Sequence, residues 1–315
     1  MLVDLVQLRT FVAVAEEQHL TRAAERLYIS QSAASAHIRS LEDKLDNQLF
    51  VRTNRSLELT RAGQLLARKA RVLLNEEAMF ASFARELRGK IEGKLIVASS
   101  SEIGTGIGEM MAALRSQHPL VSVELMARAS ASTHQGLIRG EFDVGVMLGN
   151  SAEEGLYHYK LTDVGYRVAG PIAWKEQIDN ADWGDLAALP WLTPSTSSAH
   201  SSMLGRLFGD KGLELNSVIR FDNAQLGRAA LLAGAGMLLL REDHVQQGVR
   251  DGHLAASPIA HTSMALTIAH QPGRRDDPLI QAFLAAATVP WPDMKLTSKG
   301  TGKRSVRLES ATDST

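Results

Sequence analysis

The sequence contains no cysteine, and this single absence removes several classes of function. Without thiols the chain has no disulfide framework, no cysteine-ligated zinc site and no thiol redox sensor. An excess of charge of one sign is missing too, since 34 lysines and arginines stand against 35 aspartates and glutamates. A surface that binds nucleic acid must therefore be a local element of the chain, because the overall charge does not favour one.

Long apolar runs are also absent. The longest spans residues 229–240 and contains glycines, whereas a membrane-spanning helix needs roughly 20 apolar residues. The first residues lack the basic start and apolar run of a signal peptide. We therefore expect no membrane partner and a cytoplasmic location. The 315 residues, of which 44% are hydrophobic, are enough for two or three domains with cores of their own.

The first 60 residues predict a winged helix-turn-helix. Apolar residues recur every three or four positions from Leu5 to Ala15, and a second short helix fits residues 21–27. Ser30 is a suitable N-cap for a third helix over residues 31–45. Two short apolar segments on either side of residues 52–56 then indicate a β-hairpin, or wing.

The third helix is predicted to be the recognition helix, because small and polar side chains at its start can approach base edges in the major groove. Gln31 can form two hydrogen bonds with an adenine, and arginines in the helix and wing can hold phosphates. The candidate DNA-binding residues are Thr21, Arg22, Ser30, Gln31, Ser32, Ala33, Ser35, His37, Arg39, Arg52 and Arg55. Composition alone leaves a plain helical bundle open, since residues 1–60 hold seven basic and eight acidic side chains.

Residues 61–88 predict one long linker helix. Leu66, Leu73, Phe80 and Leu87 fall at every seventh position along it. A heptad stripe of this length is typical of a helix that pairs with another helix, so we expect it to be a dimerisation surface. Packing against its own domain is the alternative. Residues 89–93 follow as a charged hinge bounded by glycine.

Strands and helices alternate from residue 94 onward, which predicts parallel sheets with crossover helices. We place a two-lobed α/β domain at residues 94–292, with lobe I at about residues 94–162 and 264–292 and lobe II at about residues 163–263. The polar residues 293–315 are predicted to be a disordered tail. The predicted fold is thus an N-terminal all-α winged helix-turn-helix, a long linker helix and a two-lobed α/β domain.

An ordered set of residues in the first 63 positions resembles the signature of the LysR-type transcriptional regulators. The set comprises Thr21-Arg22-Ala23-Ala24, Leu27, Ser30-Gln31-Ser32-Ala33, Ser35, Ile38, Leu41-Glu42, Leu49-Phe50, Arg52, Leu59-Thr60 and Ala62-Gly63. The resemblance covers about residues 4–290, with further landmarks at His118-Pro119 and at residues 140–143 and 232–236. The chain departs from the pattern at Ala36-His37, where many relatives carry arginine or glutamine, and at Arg241, where relatives often have proline.

The resemblance implies a regulator that binds double-stranded promoter DNA and senses a small-molecule effector. It implies a linker helix that dimerises, assembly of the chain with itself into a dimer or tetramer, and RNA polymerase as a further partner. It also implies a periplasmic-binding-protein-like α/β domain whose effector lies between the two lobes. A small-molecule-binding protein or an enzyme of α/β type without a DNA role is the alternative hypothesis.

The expected effector site lies in the cleft between the lobes, beyond the carboxyl ends of the strands. Hydroxyl groups and the free N–H groups of a helix start suit a carboxylate, so an organic acid is the expected effector. The candidate effector-binding residues are Ser100, Ser101, Ser130, Ser198, His200, Ser201 and Asn223. Each serine taken alone could equally be a helix cap.

No cofactor, metal site or catalytic centre is predicted. The histidines lack metal-ligand spacing, and the chain has neither a Gly-x-Ser-x-Gly elbow nor a P-loop. The glycine-rich segment Gly104-Thr105-Gly106-Ile107-Gly108 lacks the nucleotide-binding fingerprint.

Overall fold

A computed structural model of the chain describes residues 3–52, 57–86, 91–100, 104, 106–149, 155–195 and 198–298. Its helices are α1 (Leu5–Glu17), α2 (Leu20–Arg26), α3 (Gln31–Leu45), α4 (Arg61–Glu86), α5 (Gly106–Gln117), α6 (Ser130–Arg139), α7 (Lys175–Asn180), α8 (Trp183–Ala188), α9 (Ala199–Leu207), α10 (Ala224–Leu232), α11 (Glu242–Arg250) and α12 (Pro278–Ala287). Its strands are β1 (Phe50–Arg52), β2 (Leu57–Leu59), β3 (Gly93–Ser99), β4 (Val121–Ala127), β5 (Val144–Leu148), β6 (Tyr157–Pro171), β7 (Trp191–Pro194), β8 (Ser217–Phe221), β9 (Leu238–Arg241), β10 (Leu254–His270) and β11 (Lys295–Ser298).

The N-terminal unit is a winged helix-turn-helix, as predicted. Its core joins α1, α3, the wing and the first half of α4, and the rings of Phe11 and Phe50 meet edge to face at 5.6 Å. Strands β1 and β2 pair antiparallel as the wing. Helix α3 has the predicted bounds, because Ser30 caps its start and Ile38 and Leu41 supply the buried stripe.

Several residues of the family-like signature hold this unit together. The Glu42 carboxylate accepts hydrogen bonds from the backbone N–H groups of Leu49 at 2.7 Å and Phe50 at 3.3 Å, which ties α3 to the wing. Thr60 Oγ1 accepts from Gly63 N at 2.9 Å and so caps α4. A Cβ atom on Gly63 would lie 2.1 Å from the Leu49 carbonyl oxygen, so this position requires glycine.

The α/β domain is built on one long mixed sheet with the strand order β11-β6-β10-β5-β3-β4, and β9 adds to β6. Strands β4, β3 and β5 are parallel to one another, whereas β10 and β6 run antiparallel to their neighbours. Lobe II adds the parallel pair β7-β8. Met110 and Leu114 of the crossover helix α5 belong to the same buried apolar cluster as Leu95 and Val97 of β3.

The two lobes are joined by β6 and β10, which are long strands that pass through both of them. Ser263 on β10 pairs with Gly165 on β6 near the middle of their ladder. The predicted lobe boundaries, at residues 162/163 and 263/264, fall inside these strands. Sequence periodicity predicts only fragments of the two strands, at residues 166–169 and 265–269, because polar residues at the crossing interrupt the apolar pattern.

The prediction that residues 293–315 form a disordered tail is wrong for its first part. Lys295–Ser298 form β11, which pairs antiparallel with β6 and places Leu296 opposite Tyr159. An edge strand needs little apolar surface, and for this reason the polar composition concealed it. Residues 299–315 lie outside the described part of the chain.

A buried ionic cluster organises lobe I beside the linker helix. Arg274 is only 5% exposed, and its guanidinium bonds the carboxylates of Asp143 and Asp277. Burial alone would lower the pKa of Arg274, but the two carboxylates outweigh it and hold that pKa above its ordinary value. Asp143 also accepts a hydrogen bond from Ile96 N at 2.6 Å, so the cluster connects two strands to α12.

The ionic cluster lies where the linker helix meets lobe I. A Cβ atom on Gly273, the neighbour of Arg274, would come within 3.2 Å of the Glu76 side chain on α4. A Cβ atom on Gly140 would lie 3.1 Å from the Asn75 amide nitrogen. Two glycines therefore allow the close approach of α4 to the α/β domain.

Within the described ranges, no helix combines the length and apolar character that crossing a membrane requires. In the same part of the chain, no three histidine, aspartate or glutamate side chains are grouped as a metal site would need.

Candidate DNA interface and effector cleft

The start of α3 presents polar side chains to solvent. Gln31 and Ser32 are exposed, whereas Ala34 and Leu41 on the opposite side of the helix are fully buried. The Ser30 hydroxyl accepts a hydrogen bond from Ala33 N at 3.1 Å. Ser30 therefore works first as the helix cap, while the two residues after it form the outward-facing surface.

Farther along α3 the predicted surface is less exposed than expected. His37 is half-buried, and its Nδ1 lies 2.9 Å from Thr10 Oγ1 on α1. His37 is therefore only partly accessible on this face of α3, and its contact with DNA stays a prediction. Ser35 is also half-buried and receives a long hydrogen bond of 3.3 Å from the exposed Arg39.

Three of the remaining candidate DNA residues are at least partly accessible to solvent. Arg22 is exposed on α2, and Thr21 and Ala33 are half-buried. Arg52 ends β1, but its side chain, like the whole of Arg55, lies outside the described part of the chain.

The linker helix α4 carries an apolar stripe on the side away from its own domain. Leu73 is 53% exposed and Phe80 is 76% exposed, whereas Ala67 and Ala70 pack into the N-terminal core. Leu66 belongs partly to that core, and Leu87 lies outside the described residues. The exposed stripe therefore differs from the predicted heptad row; its described members are Leu65, Val72, Leu73, Phe80 and Phe83.

A cavity of about 230 Å³ lies between the lobes, at the carboxyl ends of the parallel strands β3, β4, β5, β7 and β8. This is where open α/β sheets place their ligands. The residues that line it are Ser100, Ala127, Arg128, Ala129, Ser130, Leu148, Pro194, Ser198, Ala199, His200, Phe221, Asp222, Asn223 and Ala224. Lobe I supplies those up to residue 148 and lobe II supplies the rest.

The structure brings together five of the seven predicted effector residues, namely Ser100, Ser130, Ser198, His200 and Asn223. Ser201 is not one of the lining residues. Its hydroxyl accepts from Ser198 N at 2.7 Å, while Ser198 Oγ accepts from Ser201 N at 3.2 Å, so the pair forms a capping box for α9. Ser101 lies outside the described residues.

Three helices begin at this cavity, because the N-cap residues of α6, α9 and α10 are all among its lining residues. The Asn223 amide oxygen accepts from Gln225 N at 2.8 Å, and the Ser130 hydroxyl accepts from Leu148 N at 3.1 Å. The N-cap of α6 is Ala129, whose side chain cannot accept a hydrogen bond from the first N–H groups of the helix. Helix starts of this kind carry partial positive charge and favour anions.

The charged lining residues are Arg128 of lobe I and Asp222 of lobe II, and sequence analysis missed both. Arg128 directly follows the last residue of β4, is exposed, and donates one hydrogen bond to the Ala127 carbonyl at 2.8 Å. No motif marks it. Its position at the carboxyl end of a parallel strand is the signal that could have found it.

His200 lines the cavity as a neutral group at physiological pH. Burial lowers its pKa from 6.5 to about 4. Its ring meets the Tyr166 ring edge to face, with centroids 5.3 Å apart. The positive character of the cavity therefore comes from Arg128 and the helix starts, and His200 can serve only as an uncharged hydrogen-bonding group or contact surface.

Comparison with known proteins gives a consistent result over nearly the whole chain. Residues 5–64 match the family described as "Bacterial regulatory helix-turn-helix protein, lysR family", and residues 88–288 match the "LysR substrate binding domain". The HTH-type transcriptional regulator CysL of Bacillus subtilis is 27% identical over 240 residues, which cover 74% of this chain and 79% of CysL.

Solved structures of full-length proteins share the fold. A variant of full-length OxyR from Pseudomonas aeruginosa superposes with a TM-score of 0.73 at 19% identity, covering 95% of this chain and 99% of that one. Full-length LysG from Corynebacterium glutamicum with bound effector Arg gives a TM-score of 0.64 at 20% identity, covering 92% and 99%.

Proposed function

Because the chain belongs to the LysR family of transcription regulators, we propose that a small carboxylate in the cleft between the lobes controls its binding to promoter DNA. The chain is a DNA-binding regulator with an effector-binding domain. The proposal concerns which residues bind DNA, which residues bind the effector, and what kind of effector they accept.

The N-terminal half of α3 reads base edges in the major groove. Gln31 and Ser32 are the exposed polar residues of its first turn, which is where a recognition helix contacts bases. Arg39 and Arg22, both exposed, and the two wing arginines hold the phosphates. Together these residues set the register of α3 in the groove.

Two protomers pair through the exposed stripe on α4, so that their recognition helices meet two half-sites of a dyad. The stripe runs along the side of α4 that its own domain leaves uncovered. A continuous apolar surface of this kind supports helix pairing. A tetramer and contact with RNA polymerase extend the same proposal to larger assemblies.

The chemistry of the cleft carries the proposal about the effector. Arg128 and three helix starts supply positive charge, and the neutral His200 adds none. A carboxylate placed against Arg128 and the start of α6 would receive charge-assisted hydrogen bonds. Asp222 on the opposite lobe favours a carboxylate that also bears a cationic group, such as an amino acid; LysG, a structural neighbour, has an amino-acid effector.

The effector acts by favouring one arrangement of the lobes. The residues that line the cleft come from both lobes, which are joined through β6 and β10. Binding therefore stabilises the arrangement in which both sets of residues reach the ligand. No catalytic step is part of this function, and the cytoplasm is the proposed location because the DNA target lies there.

Thermal shift against a panel of small carboxylates, with and without an amino group, tests the effector class. A stabilising compound should lose its effect in Arg128→Gln and keep it in Arg115→Gln, which removes an exposed arginine elsewhere in lobe I. Stabilisation that survives Arg128→Gln unchanged would place the site elsewhere. If Asp222→Asn abolishes stabilisation by amino acids but keeps stabilisation by carboxylates without an amino group, the effector is an amino acid.

A further inference from the structure

The turn before the recognition helix has a backbone that normally calls for glycine. Helix α2 ends in a Schellman motif, in which Tyr28 N donates to the Glu25 carbonyl at 3.1 Å and Ile29 N donates to the Ala24 carbonyl at 3.0 Å. This motif puts Tyr28 in the left-handed region, with φ of +55°. Glycine and asparagine are the usual residues there, because a bulky side chain costs free energy in that conformation.

The Tyr28 side chain does not recover this cost by packing. It is 96% exposed, more than any other large hydrophobic or aromatic side chain of the described residues. Gln18 and Asp46 are the other non-glycine residues of the described chain with positive φ, and both have polar side chains suited to a helix end. A fully solvated tyrosine at a glycine position indicates that the side chain serves an intermolecular contact.

The location of Tyr28 identifies the partner. It lies two residues before Ser30, the cap of α3, and three before the exposed Gln31. In a helix-turn-helix the first helix crosses the DNA backbone while the start of the second contacts base edges, so the turn between them lies close to the sugar-phosphate backbone bordering the groove. A phenol combines a rigid aromatic body with one O–H donor, and tyrosine is among the side chains that bond phosphate oxygens.

We propose that Tyr28 is a DNA-backbone contact, whose hydroxyl donates a hydrogen bond to a phosphate oxygen next to the bases read by α3. The proposal rests on α3 being the recognition helix. Because the phenol is neutral, the contact releases no counterion, unlike a contact made by lysine or arginine. Because phosphates are common to all sequences, the contact positions the helix and carries no base preference.

These properties give the contact a distinctive signature in binding measurements. The probes are a duplex selected from a random-sequence pool by the full-length wild-type protein, and an unrelated duplex of equal length. Tyr28→Phe should weaken binding to both duplexes by a similar factor, about tenfold. The slope of log affinity against log salt should stay at its wild-type value, whereas removal of a phosphate-bound arginine reduces that slope.

Tyr28→Asn separates this role from stability. Asparagine adopts the left-handed conformation more readily than tyrosine, so the variant should melt at the wild-type temperature or above it while it binds DNA more weakly. Gln18→Asn is the matched control, since Gln18 is also exposed with φ of +52° and the substitution is also neutral; its DNA affinity should not change.

Three results would overturn the proposal: wild-type affinity in both Tyr28 variants, a changed sequence preference, or a reduced salt slope in Tyr28→Phe. Gln31→Ala, measured on the same duplexes, distinguishes failure of the Tyr28 contact from failure of the assignment of α3 as the recognition helix. If Gln31→Ala alters sequence preference and the Tyr28 variants bind normally, α3 reads DNA and the tyrosine contact is wrong. If Gln31→Ala changes nothing, the assignment of α3 itself fails.

Discussion

Replacing Phe80 by alanine should weaken dimerisation without weakening the protomer. Phe80 is the most exposed of the large hydrophobic residues described on α4, at 76%, and it is not part of the N-terminal core that Ala67 and Ala70 of the same helix join. Alanine is a better helix former than phenylalanine, so α4 itself should not lose stability. Any loss of dimer is then a loss of contact between the two helices.

The size of the effect follows from the exposed area. Full burial of a phenylalanine side chain contributes about 1.5–3 kcal/mol, and roughly three-quarters of that is still available to Phe80 in the protomer. A two-fold dimer buries the residue twice, which gives roughly 2–4 kcal/mol in total. At about 1.4 kcal/mol per tenfold change, the dimer dissociation constant should rise roughly 30- to 700-fold.

Sedimentation velocity over a concentration series measures that constant directly. Val249→Ala is the matched control, because Val249 is 45% exposed but lies on α11 of lobe II. The control should dimerise as the wild type does. A Phe80→Ala protein with the dissociation constant of the wild type would refute the assignment of the stripe as the pairing surface.

Three further predictions concern stability. From pH 6.5 down to about 4 the unfolded chain binds a proton at His200 that the folded chain does not. Urea titrations should therefore show the free energy of unfolding falling by up to about 3 kcal/mol as the pH drops through this range. His200→Asn should flatten this dependence of the free energy of unfolding on pH. Asp143→Ala leaves the buried Arg274 with a single carboxylate and should lower the free energy of unfolding by about 3–5 kcal/mol; a loss below about 1 kcal/mol would contradict this. In Gly104→Ala the new Cβ atom would lie 2.6 Å from a guanidinium nitrogen of Arg241 in lobe II, on a backbone with φ of +78°, so this substitution should lower Tm. Gly108→Ala is the control and should not lower Tm, because its Cβ atom would meet no other atom within 4 Å. Equal Tm values for the two variants would argue against this contact between the lobes.

Local patterns predicted the elements that are decided by local chemistry. The bounds of α3 followed from a serine cap and an apolar stripe. The short helices α7, α8 and α11 and the strand β9 were not predicted, since each has few residues over which a period can be recognised. The full length of β6 and β10 depends on pairing between distant segments, which no local pattern records.

The candidate site likewise contains residues that local sequence predicts and residues that only the fold brings together. Serines after strands and at helix starts were identifiable because hydroxyls there both cap helices and bind anions, and most of them do converge on one cavity. Arg128 was missed because its role depends on which strand ends meet. The period-seven row on α4 chose Leu66, which its own domain half buries, and left out Leu65 and Phe83, because periodicity cannot tell which face of a helix its own domain covers.

The central claim is that a carboxylate in the cleft changes how the recognition helices bind DNA. The most direct test is footprinting of the full-length protein on its selected duplex, with and without the carboxylate found by thermal shift. We expect the compound to change the affinity or the extent of the protected region, and Arg128→Gln to bind DNA but no longer respond. An identical footprint with and without a compound that demonstrably occupies the cleft would contradict the account.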